Sequence, residues 1–156
     1  MGILHGKRGL IMGVANEKSA AWGIAAIAAE QGADLAFTYQ IEGFRKRLSP
    51  LASSVGSDFL IPCDVAEETA AQKTFAAIRT RWDALDFVVH AIGFSDKSEL
   101  KGPYHNTTRQ NFEQTMLISA FSFTEIAAEA RKIMPEGGSL LTLSYLGGVR
   151  TTPNYN

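Results

Sequence analysis

The sequence has a single cysteine, Cys63, among 156 residues. One cysteine excludes an internal disulfide, and a lone cysteine beside strand residues is typical of a small buried side chain in a protein from a reducing compartment. The N-terminal segment 1–13 has no apolar run long enough for a secretory signal or a membrane-spanning helix. These absences predict a soluble cytoplasmic protein.

An excess of charge of either sign is also missing. The sequence has 15 Lys and Arg residues against 16 Asp and Glu, which leaves a formal net charge of −1. Such a balance gives no electrostatic reason to expect nucleic acid or an anionic membrane as a partner. No spacing of histidine, cysteine and carboxylate residues is typical of a metal site. We therefore expect no metal, no nucleic acid and no membrane among its ligands.

Apolar, β-prone segments alternate with longer helical ones along the chain. Five strands are predicted at 9–14, 34–39, 59–62, 86–91 and 139–144, and four helices at 21–31, 42–54, 66–82 and 108–134. The strands are almost continuously apolar, as a parallel sheet covered on both faces requires. Because crossovers between parallel strands are right-handed, helices then lie on both faces. The pattern predicts one α/β domain with a doubly wound, Rossmann-type parallel sheet.

The longest predicted helix, 108–134, has a regular apolar stripe. Its members are Phe112, Met116, Ala120, Phe123, Ala127 and Met134. We expect this stripe to cover the sheet, with packing between subunits as the alternative.

Ligands of such sheets bind beyond the carboxyl ends of the strands, near the reversal of strand order. The first strand is followed by GVANEKSAAWG, residues 13–23. Gly13 can form a tight turn close to a pyrophosphate, and Ser19 can donate a hydrogen bond to a phosphate beside the first amides of the helix. The usual G-x-G-x-x-G is missing, so a plain turn explains the glycines equally well.

Polar residues follow the second and third strands. Gln40 can bind a ribose 2′-hydroxyl without repelling a phosphate, which weakly favours NADH and leaves NADPH open. Asp64 can accept from an adenine amino group with Val65 packed on the ring; alternatively, Asp64 and Glu67 form a capping box for the next helix. The basic cluster 45–47 can contact a 2′-phosphate, although the solvated face of a helix is the simpler interpretation. His90, within an apolar strand, is predicted to be a packed core histidine.

The segments GVANEKSAAWGIA, LAFTYQ, CDVAEE, HAIGF and LTLSYLG with PNYN follow one another along the chain. Together they resemble bacterial enoyl-(acyl-carrier-protein) reductases, a divergent branch of the short-chain dehydrogenases/reductases, over essentially the whole sequence. The resemblance implies a Rossmann-type fold, NADH as the usual cofactor and a homotetramer. It also implies reduction of a trans-2-enoyl thioester, carried by acyl carrier protein, in fatty-acid biosynthesis.

Carried over position by position, the resemblance also assigns site residues. Cofactor contacts are implied at Gly13, Ser19, Ala20, Gln40, Asp64, Val65 and Ile92. Ser95 matches a substrate-contact position that is often alanine in the family. Tyr145 and Tyr155 match the two active-site tyrosines. Tyr155 would stabilise the enolate oxygen that forms when hydride reaches the β-carbon, while Tyr145 would orient the acyl group or simply close the strand end.

In the family a lysine lies seven positions after the second tyrosine, which is beyond Asn156. We therefore expect residues 1–156 to be the N-terminal part of a single Rossmann-type domain, without its last strands and substrate lid. Such a chain alone would be inactive, although its parent is a reductase. Two alternatives stay open: a non-catalytic nucleotide-binding module, and a 3-oxoacyl carbonyl reductase of the same superfamily. The pair of tyrosines favours the enoyl reductase.

Overall fold

The computed structural model describes residues 2–151. Its strands are β1 (Arg8–Met12), β2 (Asp34–Tyr39), β3 (Leu60–Pro62), β4 (Phe87–His90) and β5 (Ser139–Thr142). All neighbouring strands pair in parallel, in the order β3-β2-β1-β4-β5. The strand order reverses beside β1, because β2 and β3 extend to one side of it and β4 and β5 to the other. The predicted doubly wound parallel sheet is confirmed.

Five α-helices connect the strands. They are α1 (Ala20–Glu30), α2 (Glu42–Ser54), α3 (Ala70–Arg79), α4 (Arg109–Met116) and α5 (Ser122–Ala130). A π-helical turn, Leu117–Phe121, joins α4 to α5, and a 3₁₀ turn, Arg131–Ile133, follows α5. Residues 109–133 therefore form one continuous rod, the long helix, with a widened turn in its middle. Across residues 2–151, no helix combines the length and apolar character that crossing a membrane requires.

The sheet separates two apolar cores. On one face, α1 contributes Ala21, Ala25 and Ala28, whose small side chains let the helix lie close to the strands. On the other face, α3 contributes Phe75 and Ile78, which pack with side chains of the sheet and of the long helix. Both faces of the central strands are thus covered, which is why these strands are apolar at consecutive positions, whereas the edge strand β5 is exposed.

The apolar stripe predicted for the long helix does not cover the sheet. Phe112 and Met116 are 48% and 47% exposed, and of the six predicted residues only Met134 is buried. The buried positions of the long helix are Asn111, Ile118, Ser122, Ile126, Glu129, Ala130 and Ile133. Positions 118, 122, 126 and 130 are spaced by four. In a regular α-helix, the first and last of these positions would differ by about 120° around the helix axis. The π-helical turn, in which each residue advances less around the axis, offsets part of that rotation.

His90 is completely buried at the end of β4. Its Nε2 lies 2.8 Å from the Ser122 Oγ, and that hydroxyl donates to the Ile118 carbonyl at 2.7 Å. Since the serine hydrogen is used on the carbonyl, the histidine Nε2–H is the donor of the other bond. Burial lowers the pKa of His90, so its ring is neutral. The prediction of a packed core histidine is confirmed.

Asp86 connects the starts of β1 and β4. Its Oδ1 accepts from Lys7 Nζ at 2.8 Å, and its Oδ2 accepts from the Arg8 backbone N–H at 2.8 Å. Burial raises the pKa of this carboxyl, but the hydrogen bonds from Lys7 and Arg8 outweigh burial and hold the pKa below its ordinary value. Ionised Asp86 therefore stabilises the pairing of the two central strands.

We expect Asp86→Asn to lower the free energy of unfolding at neutral pH by about 1 kcal/mol, since two charge-assisted hydrogen bonds are weakened. The folded-state pKa lies below the unfolded one. The contribution is therefore present above the unfolded pKa, about 3.9, and is lost as the pH falls through the folded pKa. Urea unfolding at neutral pH and at steps below pH 4 should show the two proteins converging. Asp58→Asn removes only a surface pair with Arg81 and should cost less; equal costs for the two variants would contradict this account.

Candidate functional site

The carboxyl ends of β1, β2, β3 and β4 surround an open cleft of about 290 Å³. The cleft lies where the strand order reverses, because α1 and the chain after β4 leave the sheet in different directions there. Of the ten predicted site residues, five line the cleft: Gly13, Gln40, Asp64, Val65 and Ile92. Sequence reasoning missed Phe44 and Ile118, which also line it. They come from helices, and no strand-end pattern marks them.

Gly13 forms the floor of the cleft. Its φ is +92°, and a Cβ at this position would stand 2.0 Å from the Ala91 carbonyl oxygen. The Ala91 N–H donates to the Met12 carbonyl at 3.1 Å, so β1 and β4 stay paired up to this contact. Glycine is therefore required by both the backbone conformation and the close approach of the two strands.

The loop between β1 and α1 is organised by Asn16. Its Oδ1 accepts from the Lys18 N–H at 2.8 Å, and its carbonyl accepts from Ser19 Oγ at 2.6 Å and Ser19 N at 3.1 Å. Ser19 and Ala20 begin α1 and do not line the cleft. The Ser19 hydroxyl must therefore exchange its bond to the Asn16 carbonyl before it can donate to a ligand.

Gln40 and Asp64 are bonded to each other across the ends of β2 and β3. Gln40 Nε2 donates to Asp64 Oδ2 at 3.0 Å, and Asp64 Oδ1 accepts from the Ala66 N–H at 3.0 Å. The alternative of a capping box from Asp64 to Glu67 is wrong. Asp64 closes its own turn, and α3 begins only after Thr69, which makes no side-chain cap.

The two arginines of the basic cluster 45–47 are engaged along α2. Arg45 Nη1 lies 3.2 Å from Glu42 Oε1. The guanidinium of Arg47 lies 4.8 Å from the centre of the Phe44 ring, and its Nε donates to the Gly43 carbonyl at 3.4 Å. Both arginines therefore have partners on their own helix, in keeping with the solvated helix face.

Ser95 and Tyr145, two of the residues predicted to act on the substrate, do not line the cleft. Ser95 comes directly after Phe94, which lines the cleft. The Ser95 Oγ accepts a hydrogen bond from Asn111 Nδ2 at 3.1 Å. Tyr145 follows β5 and is 61% exposed. Tyr155 lies outside the described residues, so the geometry of the two tyrosines is not part of the described site.

Cys63 is buried in the wall of the cleft. Burial raises the pKa of its thiol, which is therefore protonated and suited to packing rather than nucleophilic attack. Within residues 2–151, no group of three or more His, Cys, Asp or Glu side chains is placed to hold a metal ion.

A family profile described as "Enoyl-(Acyl carrier protein) reductase" matches residues 13–156. The chain belongs to this family. A curated family member, enoyl-(acyl-carrier-protein) reductase (NADH) 2 of Rhizobium meliloti, is 62% identical over 155 residues, which cover 99% of this chain and 58% of the relative.

Solved structures of the family share the fold described above. The reductase of Candidatus Liberibacter asiaticus matches with a TM-score of 0.98 at 58% identity, over 100% of this chain and 60% of that one. The enoyl-(acyl-carrier-protein) reductase of Anaplasma phagocytophilum was solved in complex with NAD. It matches with a TM-score of 0.94 at 49% identity, over 98% of this chain and 59% of that one. The chain thus spans somewhat under two thirds of the length of these family members.

We expect Gly13→Ala to lower the free energy of unfolding by about 3 kcal/mol, because strain at positive φ is added to a clash with the Ala91 carbonyl. Gly56 is the matched control: its φ is +77°, but a Cβ there meets nothing within 4 Å. Gly56→Ala should therefore cost only about 1 kcal/mol. Urea unfolding of both variants measures the difference. Equal losses of unfolding free energy would show that the contact between Gly13 and the Ala91 carbonyl adds nothing to the cost of a side chain at position 13.

Proposed function

We propose that the full-length protein is an NADH-dependent enoyl-(acyl-carrier-protein) reductase of fatty-acid biosynthesis, and that residues 1–156 are part of its single Rossmann-type domain. The observation that carries the proposal is the cleft at the reversal of strand order. Five of the positions that the family resemblance assigns to the cofactor line this one cleft. Membership of the family supports the reaction class.

The residues of the cleft fit an extended dinucleotide. Gly13 lines the cleft at the turn that follows β1, where its backbone would lie beside a pyrophosphate. At the end formed by β2 and β3, Asp64 would accept from the adenine amino group, Val65 would pack on the ring and Gln40 would bind the ribose. Ile92, after β4, would contact the nicotinamide end. When bound, NADH supplies the hydride that reduces the carbon–carbon double bond.

The bond between Gln40 and Asp64 supports NADH over NADPH. Because one N–H of the Gln40 amide donates to Asp64, the amide oxygen and the second N–H are the groups that can meet the ribose 2′ position. That oxygen accepts from a hydroxyl but repels a phosphate dianion. Arg45 and Arg47, which belong to the basic cluster that could neutralise a phosphate, are engaged along α2.

We expect Gln40→Arg to lower the preference for NADH over NADPH by about tenfold or more, because a guanidinium binds a phosphate and replaces the acceptor oxygen. Fluorescence titration of the full-length protein with each dinucleotide measures the ratio of dissociation constants. Arg47→Gln is the control and should leave the ratio unchanged. A fall in NADPH affinity in Arg47→Gln would mean that the basic cluster already binds the 2′-phosphate of NADPH.

The acid–base part of the proposal concerns the thioester oxygen. Addition of hydride to the β-carbon leaves negative charge on that oxygen as an enolate. Tyr155, a phenol with a reference pKa of about 10, would donate a hydrogen bond to it in a site shielded from water. Tyr145 would orient the acyl group, and Ser95 would contact it.

We expect Tyr155→Phe in the full-length protein to lower kcat with a crotonyl thioester by about 100-fold or more, since the donor to the developing oxyanion is removed. NADH oxidation at 340 nm measures the rate, and Tyr104→Phe, an exposed tyrosine elsewhere, should be unaffected. Unchanged turnover in Tyr155→Phe would contradict the role. Preference for an acetoacetyl thioester would indicate the carbonyl reductase, and NADH binding without oxidation would indicate a binding module.

We also propose a homotetramer in the cytoplasm. The long helix turns Phe112, Met116 and Phe121 away from the sheet, where they are 48%, 47% and 53% exposed. Apolar side chains lined up on one exposed helix face are typical of a surface that packs on another subunit. The reduced, buried Cys63 is in keeping with a cytoplasmic location.

A further inference from the structure

The chain that borders the substrate side of the cleft has no regular secondary structure. Residues 91–96 follow β4 without entering a helix or strand, and Gly93 and Phe94 line the cleft. Backbone groups in such a segment need partners from elsewhere in the fold. The 94–96 part of it, which includes Ser95, receives them from two side chains of the long helix.

Ser119 satisfies both backbone groups of Phe94. Its Oγ accepts from the Phe94 N–H at 2.9 Å and donates to the Phe94 carbonyl at 3.1 Å. A hydroxyl is suited to this double role because it is donor and acceptor at once. Ser119 thereby takes the place that a neighbouring strand would have in a ladder.

Asn111 bonds the next two residues. Its Oδ1 accepts from the Asp96 N–H at 2.9 Å, and its Nδ2 donates to Ser95 Oγ at 3.1 Å. The Asp96 N–H can only donate, so it fixes which end of the amide is the oxygen. Asn111 is buried with both ends of its amide bonded, and a buried polar group held in this way strongly favours one arrangement.

The π-helical turn brings these two side chains toward the same side. In a regular α-helix, residues eight positions apart such as Asn111 and Ser119 would differ by about 80° around the axis. Residues 117–119 already belong to the π-helical turn, where each residue advances less. The widened turn therefore rotates Ser119 toward the face that Asn111 occupies.

We propose that Ser119 and Asn111 are positioning residues that fix the 94–96 segment at the rim of the cleft, and with it the placement of Phe94 and Ser95 against the acyl substrate. This inference rests on the proposed enoyl reduction. Ser119 acts through the backbone of Phe94 and does not itself touch substrate. Its removal should affect capture of the enoyl thioester more than binding of the dinucleotide, because the Gln40 and Asp64 end of the cleft has no bond to the long helix among those described.

The test compares Ser119→Ala with Ser122→Ala in the full-length protein. Both serines lie on the long helix, but Ser122 bonds Ile118 and His90 and has no described bond to the 94–96 segment. We expect Ser119→Ala to raise KM for a crotonyl thioester about tenfold, with kcat and the NADH dissociation constant changed less than threefold. Ser119→Thr, which keeps the hydroxyl, should restore most of the KM. Ser122→Ala should lower stability and leave KM unchanged.

An unchanged KM in Ser119→Ala, an equal rise in Ser122→Ala, or no rescue by threonine would overturn the proposal. Amide hydrogen exchange provides a second readout that needs no turnover. The Phe94 amide should exchange faster in Ser119→Ala and not in Ser122→Ala. If the wild-type protein fails to reduce the thioester, the proposed function fails. If the exchange rate of the Phe94 amide is unchanged in Ser119→Ala, the proposed positioning of the 94–96 segment by Ser119 fails.

Discussion

The close approach of β1 and β4 at Gly13 is the constraint on which the candidate site depends. Two parallel strands stay paired until the Ala91 carbonyl lies against the α-carbon of Gly13, leaving no space for a side chain. From this point the chain after β1 and the chain after β4 diverge, and the cleft opens between them. The ends of β2 and β3 complete its other side. A bulkier residue at position 13 would displace the floor on which the remaining site residues are arranged.

The two ends of the site are held by different kinds of interaction. At the β2 and β3 end, polar side chains come from strand ends and bond each other, as Gln40 and Asp64 do. At the other end, irregular backbone is tethered to helix side chains, as Phe94 is to Ser119. The sheet thus determines the geometry of one end of the cleft, while the long helix determines the shape of the rim at the other end.

The strands and most helices were predictable, because a strand that is buried on both faces of a parallel sheet has apolar residues at consecutive positions in the sequence. The start of α3 was not, because Asp64 bonds the Ala66 amide instead of capping the helix. The buried face of the long helix is not the predicted one, because it includes the polar residues Asn111, Ser122 and Glu129, while the apolar Phe112 and Met116 are exposed. Five of the ten site positions line one cleft. The bonds of Ser119 and Asn111 to the 94–96 segment join residues 15 or more positions apart, and no local pattern indicates such contacts.

Amide hydrogen exchange of the full-length protein, with and without saturating NADH, tests the central claim most directly. The account predicts new protection confined to the four strand ends, at residues 13–15, 39–40, 63–65 and 91–94, because these segments surround one cleft. Saturable NADH binding that leaves those four segments unprotected would contradict it. So would protection confined to Ile24, Ile27 and Leu141, which line a second groove between α1 and β5.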